Sequence, residues 1–140
     1  MNLMEQLRRN SLAFVSLIVA FSALGYNTWR NELTEHNRTV REAGFAMLIH
    51  IGELQRITYL AHYDRDPVAG NPRKGWTEVL VINDLGTLMP VNVRNGSEEL
   101  NAAWAGSWDK LGTDDSAIAA IDNSMSSLRG EITQTLNSLD

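Results

Sequence analysis

The sequence contains no cysteine. That excludes a disulfide framework, a thiolate metal site and a covalently attached c-type haem, and it suits an oxidising compartment, where a lone thiol is a liability. Proline is scarce as well: there are three, and none before Pro67. Nothing ahead of that position has to break a helix. Histidine is confined to His36, His50 and His62. No two of them share the three- or four-residue spacing that places ligands on one helix face, so neither a zinc set nor a bis-histidine haem can be drawn. Positive charge is the minority sign, with 12 Lys+Arg against 17 Asp+Glu and a net charge of −5. Phosphate binding needs a basic face, and with this balance no nucleic-acid partner is expected.

Catalytic signatures are missing too. Asp64 and Asp66 resemble the opening of a calcium loop, but Val68 falls where the third ligand belongs and Gly70 comes one residue late. Glu53 lies beside an apolar seam without a second carboxylate to make an acid–base pair. Asn37-Arg38-Thr39 and Asn95-Gly96-Ser97 fit the glycosylation pattern, which is short enough to arise by chance. The chain therefore reads as non-enzymatic, with no catalytic residue, metal or cofactor.

What is present begins with SLAFVSLIVAFSALGY, Ser11 to Tyr26, which carries no charge. Extended to Trp29 it fills the interval between Arg9 and Arg30, close to the roughly 20 residues that a bilayer core demands. Arg8 and Arg9 precede it, while Glu32 and Glu35 follow soon after, an asymmetry that places the N-terminus in the cytoplasm. Tyr26 and Trp29 stand where an interfacial aromatic belt is expected. A cleaved signal peptide is the rival reading, with Ala23-Leu24-Gly25 as its cleavage site; the uninterrupted apolar run favours a retained anchor. Ala13, Ser16, Ala20 and Ala23 form a small stripe along it, which lets membrane helices approach closely. The expected divisions are a cytoplasmic end at 1–10, an anchor at 11–29 and an extracytoplasmic helical domain at 30–140, in a bacterial inner membrane.

Beyond the anchor, Val40, Gly44, Met47, Ile51, Leu54, Thr58 and Ala61 recur at alternating four and three, a heptad-like seam. The first helix is expected to continue to about Tyr63. Residues 64–75, with two prolines and two glycines, predict a break. A short helix is expected over 76–89, then a loop over 90–96, then a helix capped by Ser97 with Glu98 and Glu99 in its first turn and Leu100, Trp104, Trp108 and Leu111 on one face. Gly112 closes it. Thr113 or Asp114 caps a last helix with the cleanest seam in the chain: Ile118, Ile121, Met125, Leu128, Ile132, Thr135 and Leu139. The fold class is all-α: one transmembrane helix running into an up-down four-helix bundle.

Helix lengths of roughly 34 and 27 residues for the outer pair and roughly 14 for each of the middle two leave the membrane-near half of the bundle thin. Leu128, Ile132, Leu136 and Leu139 should then need cover from a partner, since exposed apolar stripes mark interfaces. A second candidate surface is the tip, where Arg73 and Lys74 sit beside Trp76, since Trp and Arg are enriched at binding hot spots; the favoured reading is that Trp76 starts the core of the second helix and that Trp104 and Trp108 are core, with a ligand pocket among the three as the alternative.

In layout alone the chain is similar to small bitopic bacterial inner-membrane proteins with a periplasmic helical domain. It also resembles the ligand-binding bundle of bacterial chemoreceptors, but departs from it in showing no second apolar span and no cytoplasmic signalling module. The first expectation is an accessory or structural subunit, held in lipid and docked on other membrane subunits or on its own copies. The alternative is a small-ligand sensor that acts through a signalling partner.

Overall fold

The computed structural model describes residues 9–139. Of the expected cytoplasmic end at 1–10, only Arg9 and Asn10 fall among them. The described residues contain four α-helices and no strand: α1, Ser11–Tyr59; α2, Pro72–Gly86; α3, Val91–Ser107; and α4, Asp115–Asn137. The chain divides into two compact units, Met1–His36 and Asn37–Asp140.

In the first unit the side chains from Ser11 to Glu35 are exposed all round the helix. Leu12 is 82% exposed, and Phe14, Val15, Leu17, Ile18, Val19, Phe21 and Leu24 are open as well. Ser16, Thr28 and Thr34 fold their hydroxyls back onto the carbonyls of Leu12, Leu24 and Arg30 at 2.8, 3.0 and 2.9 Å. Polar groups in an apolar stretch are thereby satisfied within the helix. This is the one helix among the described residues that is long and apolar enough to cross a membrane.

The second unit begins where the pattern turns one-sided. Val40, Ala43, Gly44, Met47, Ile51, Leu54, Ile57 and Thr58 are buried along α1, the stripe that the heptad spacing outlines. The helix then widens into a π turn, Leu60–Asp64. Arg65 ends it in the left-handed region (φ 50°) and donates its N–H to the Leu60 carbonyl. Asp66 holds the following turn, its Oδ1 accepting from the backbone N–H groups of Val68 and Ala69 at 2.8 and 2.9 Å.

α2 starts four residues before the expected Trp76. Asn71 caps it, taking the Arg73 N–H at 3.0 Å, and Pro72 occupies the first position, where its missing N–H costs nothing. What reads as turn chemistry is a helix start.

α3 departs further from expectation. Residues 90–96 are not a loop, and Ser97 is not a cap. Pro90 stands at the N-cap, the helix runs from Val91, and the Arg94 N–H reaches the Pro90 carbonyl at 3.0 Å. Ser97 is buried inside the helix, its hydroxyl bonded to the Arg94 carbonyl at 2.7 Å. Asn92, Asn95 and Gly96 are poor helix formers, but Val93, Gly96, Ser97, Leu100 and Trp104 form a buried face. Its small members sit against neighbours, Gly96 against Leu128 and Glu131, and Ser97 against Gly86. Packing outweighs propensity here.

A 3₁₀ turn, Trp108–Lys110, and buried Leu111 lead to Asp114. Asp114 caps α4, accepting from the Ser116 N–H at 2.8 Å.

The early start of α3 overturns the uncovered seam. Leu128 and Ile132 are 0% exposed, and Leu136 and Leu139 are partly buried against the core. Side chains that were to await a partner are covered by the chain itself: Gly96 lies over Leu128, and Leu136 lies against Gly44. The middle helices have 15 and 17 residues and the last has 23, so α4 exceeds them by eight and six residues, less than the sequence pattern suggests.

Trp104 is the largest fully buried side chain. Its ring lies on Gly75, where a β-carbon would collide with it, and beside Leu54. Gly75→Ala must push apart α2 and α3. It is expected to lower stability by about 1–3 kcal/mol, the usual range for overpacking, read as a fall in the thermal midpoint of the detergent-solubilised chain followed by circular dichroism. The same change at Gly130, whose β-carbon would meet nothing, should leave the midpoint unchanged or raise it.

Candidate functional site: a polar seam beside an uncharged helix face

The residues singled out at the tip do not form one site. Arg73 and Lys74 are exposed in the first turn of α2. Trp76 and Trp108 are half-buried and meet edge to face, centroids 6.3 Å apart. Trp104 points away into the core, and its indole N–H finds no acceptor. Where the alternative reading has a pocket among the three tryptophans, the Trp104 ring is packed on Gly75. In the first unit, Ala13, Ser16, Ala20 and Ala23 are all exposed.

Two histidines have structural partners in other elements. His50 Nδ1 lies 2.7 Å from Glu78 Oε2 of α2. His62, only 12% exposed at its side chain, places Nδ1 2.6 Å from the Leu111 carbonyl and Nε2 3.1 Å from Asp115 Oδ1. A carbonyl only accepts, so Nδ1 carries a proton. His36 is exposed. No group of three or more His, Asp or Glu side chains placed to hold a metal stands among the described residues.

His62 belongs to a chain of polar contacts where α1 meets α4. Arg129 Nη2 donates to Gln55 Oε1 at 3.1 Å, and Gln55 Nε2 donates to the Tyr59 oxygen at 3.1 Å. Tyr59 and His62 both stand close enough to Asp122 to draw its carboxyl down. Asp122 Oδ1 is buried without a hydrogen bond. Burial pushes this carboxyl above the ordinary aspartate range, and Tyr59 and His62 pull it back only in part. Glu131, on the α3 side of α4, is raised too, by burial and then by Glu99. By contrast Glu53 is held low by its bonds to Arg56 at 2.6 and 2.9 Å. The seam can hold a proton and fasten two helices; it offers no nucleophile beside a base.

Sequence reading passes over these groups, although a signal exists. Asp115, Asp122 and Arg129 are spaced by seven, a polar stripe one step round from the apolar seam of α4, and Gln55, Tyr59 and His62 flank the α1 seam at four and three. Polar heptad stripes look like ordinary solvated faces until the opposite helix is known.

Outward of the seam, α4 is nearly free of charge. Of its twelve exposed positions only Asp115 and Arg129 are charged. A shallow groove of about 680 Å³ runs along it, lined by Ser126, Arg129, Gly130, Thr133, Gln134, Asn137 and Ser138. On α1, Phe45 and Ile49 are exposed, Ile49 by 71%. No protein-family model, curated protein or solved structure matches this chain.

Because its folded value is raised, Asp122 contributes stability that is complete below the ordinary aspartate range near about pH 3.9 and lost as the pH rises through the raised value. Asp122→Asn keeps an acceptor for Tyr59 without the charge. At pH 7.5 it should raise the urea midpoint of the chain relative to the wild type, and at pH 3.5 the two midpoints should coincide. A variant less stable at pH 7.5 would show instead that the attraction to His62 outweighs burial.

Proposed function

We propose that the chain is a single-pass membrane protein, an accessory or structural subunit whose helical domain docks on protein and does not catalyse a reaction. The anchor is the first part of α1, residues 11–29, with the N-terminus in the cytoplasm and residues 30–140 on the periplasmic side of a bacterial inner membrane. One observation carries this reading: the helix from Ser11 to Leu24 exposes apolar side chains in every direction. An amphipathic helix offers one apolar stripe to a core, whereas one that is apolar all round requires an apolar surrounding, and at this length lipid supplies it. Arg9 at its start and Arg30 at its end fit the interfaces, and Tyr26 and Trp29, with ring centroids 6.1 Å apart, fit an aromatic belt.

The domain beyond it has the features of an up-down four-helix bundle. Gln55 meets Arg129 and Gly44 lies by Leu136, a pairing that descends one helix as it climbs the other. His50 ties α1 to α2. Docking is favoured over ligand sensing because Trp104, the residue best suited to line a core pocket, is packed onto Gly75, while the outward face of α4 carries little charge and α1 exposes Phe45 and Ile49 beside it.

Alkaline carbonate washing of host membranes provides the test. The wild-type chain should stay in the pellet, and Ile18→Lys with Phe21→Lys should move it to the supernatant with its helical circular dichroism retained. A cysteine placed at Ser127, exposed on α4, should react with a membrane-impermeant maleimide from the periplasmic side. Release of the wild-type chain by carbonate would overturn the reading.

A further inference from the structure

We infer that the outward face shared by α1 and α4 binds a second copy of this chain, related by a twofold axis parallel to the two helices. The inference rests on the membrane reading only in expecting both copies in one bilayer.

The face is located by the Gln55–Arg129 bond at 3.1 Å. At about 100° per residue, Tyr59, Gly52, Phe45, Tyr63 and Ile49 lie 40–120° further round α1 from Gln55, away from its buried seam. On α4, Thr133, Ser126, Ala119 and Gly130 lie about 40–100° outward of Arg129 in the same way. All nine are exposed. The α1 half is a ridge of Phe45, Ile49, Tyr59 and Tyr63, with the exposed cations Arg41 and Arg56 on the same arc and Arg56 paired to Glu53 at 2.6 Å; the α4 half is a groove lined by Ser126, Gly130, Thr133 and Ser138 beside Arg129, Gln134 and Asn137. One helix thus supplies knobs and the other holes.

Heights decide who fits. Gln55 is level with Arg129, and Gly44 lies against Leu136. Within about one turn, Ile49 is therefore level with Thr133, Gly52 with Gly130 and Tyr63 with Ala119. A twofold axis parallel to the helices preserves height while it sets the α1 of one copy against the α4 of the other. At each of these levels a large residue then meets a small one, or two glycines meet. Such an interface is isologous, the same patch used twice. The axis also keeps both Asn37 ends at the same end of the pair, as two chains held in one membrane require.

Charge and area agree. The acids that give the chain its net charge of −5 are mostly elsewhere: Glu78 and Asp84 on α2, Glu98 and Glu99 on α3, and Glu131 toward α3. The face itself carries Arg41, Arg129 and Asp115, with Arg56 paired to Glu53, so its charge is mixed in sign and small in sum, and repulsion between two copies is modest. It extends about 27 Å from residue 45 to 63 and about 20 Å across two helices, on the order of 500 Å² in projection. The accessible area of a corrugated face is larger, near the roughly 800 Å² per partner of a standard interface, and a shared bilayer raises the effective concentration.

The absence of cysteine makes a clean test available. Gly52, Gly130 and Gly106 each have open space where a β-carbon would stand. Two differently tagged full-length chains, one Gly52→Cys and one Gly130→Cys, are co-expressed in the host membrane and oxidised. A mixed disulfide dimer is expected at ten or more times the yield of Gly52→Cys paired with Gly106→Cys on α3, and adding Thr133→Tyr to both chains should abolish it. Equal yields from the two pairings, or an adduct to a different protein at Gly130→Cys, would overturn the inference. Carbonate washing of the same membranes is scored separately, so that a monomer retained in lipid is distinguished from a chain that was never in the membrane.

Discussion

The buried stripe on α1 is what the second unit is organised around. Val40, Met47, Ile51, Leu54 and Thr58 have no exposed surface, and full burial of each aliphatic member contributes roughly 1.5–3 kcal/mol before ordering entropy is set against it. The stripe is narrow, so its neighbours must come close. Glycines permit this at two levels. Gly44 admits Leu136 and Met89 near one end, and Gly75 admits the Trp104 ring, with Leu54 beside it, near the other. Trp104 carries a consequence of that fit. Its indole N–H, buried without an acceptor, forfeits a hydrogen bond that an exposed indole would make to water, and the packing of the whole ring has to outweigh that loss.

Legibility from sequence follows the same physics. The seams of α1 and α4 were readable because periodicity records one-sided burial directly: Val40 to Ala61, and Ile118 to Thr135, are buried where spacing places them. Asp114 was readable as a cap because its chemistry is local. The start of α3 was not. Asn92, Asn95, Gly96 and Ser97 carry local signals for a loop and a cap, and only the presence of Leu128 and Gly86 on either side turns small residues into a packing face. That one misreading propagated. With α3 shortened, Leu128 and Ile132 lack cover and call for a partner, whereas the chain hides them itself. The candidate surface therefore moves from the inner seam of α4 to its outer face.

The polar seam answers a different question from the apolar core. Burial makes α1 and α4 adhere, but an apolar stripe alone tolerates rotation and sliding by a turn. The contacts from Arg129 through Gln55 to Tyr59, and from His62 to Leu111 and Asp115, are directional and lose most of their strength when misaligned. They set the register of the two helices at the level where the π turn and Arg65 end α1. Asp122 indicates that this alignment is imposed on the seam at some expense, since its carboxyl is held in a partly buried place without full hydrogen bonding.

Register in turn governs what the outer face presents. If α1 slid by two turns against α4, Ile49 would leave the level of Thr133 and Tyr63 that of Ala119, and ridge and groove would no longer oppose each other across a twofold axis. A face that only needed to be soluble would have no use for such matching, and exposed helix positions in a chain with this many acids would be expected to carry them. α4 instead keeps ten of its twelve exposed positions uncharged, and α1 leaves Phe45 and Ile49 in the open beside them. Desolvating serine, threonine, glycine and alanine costs little compared with desolvating carboxylates, and small side chains let backbones approach. The same small residues lower the intrinsic helix preference of α4, whose stability depends on its buried seam instead. The helix is thus strongly held on its inner side and lightly furnished on its outer one, as expected of an element that packs against protein on both.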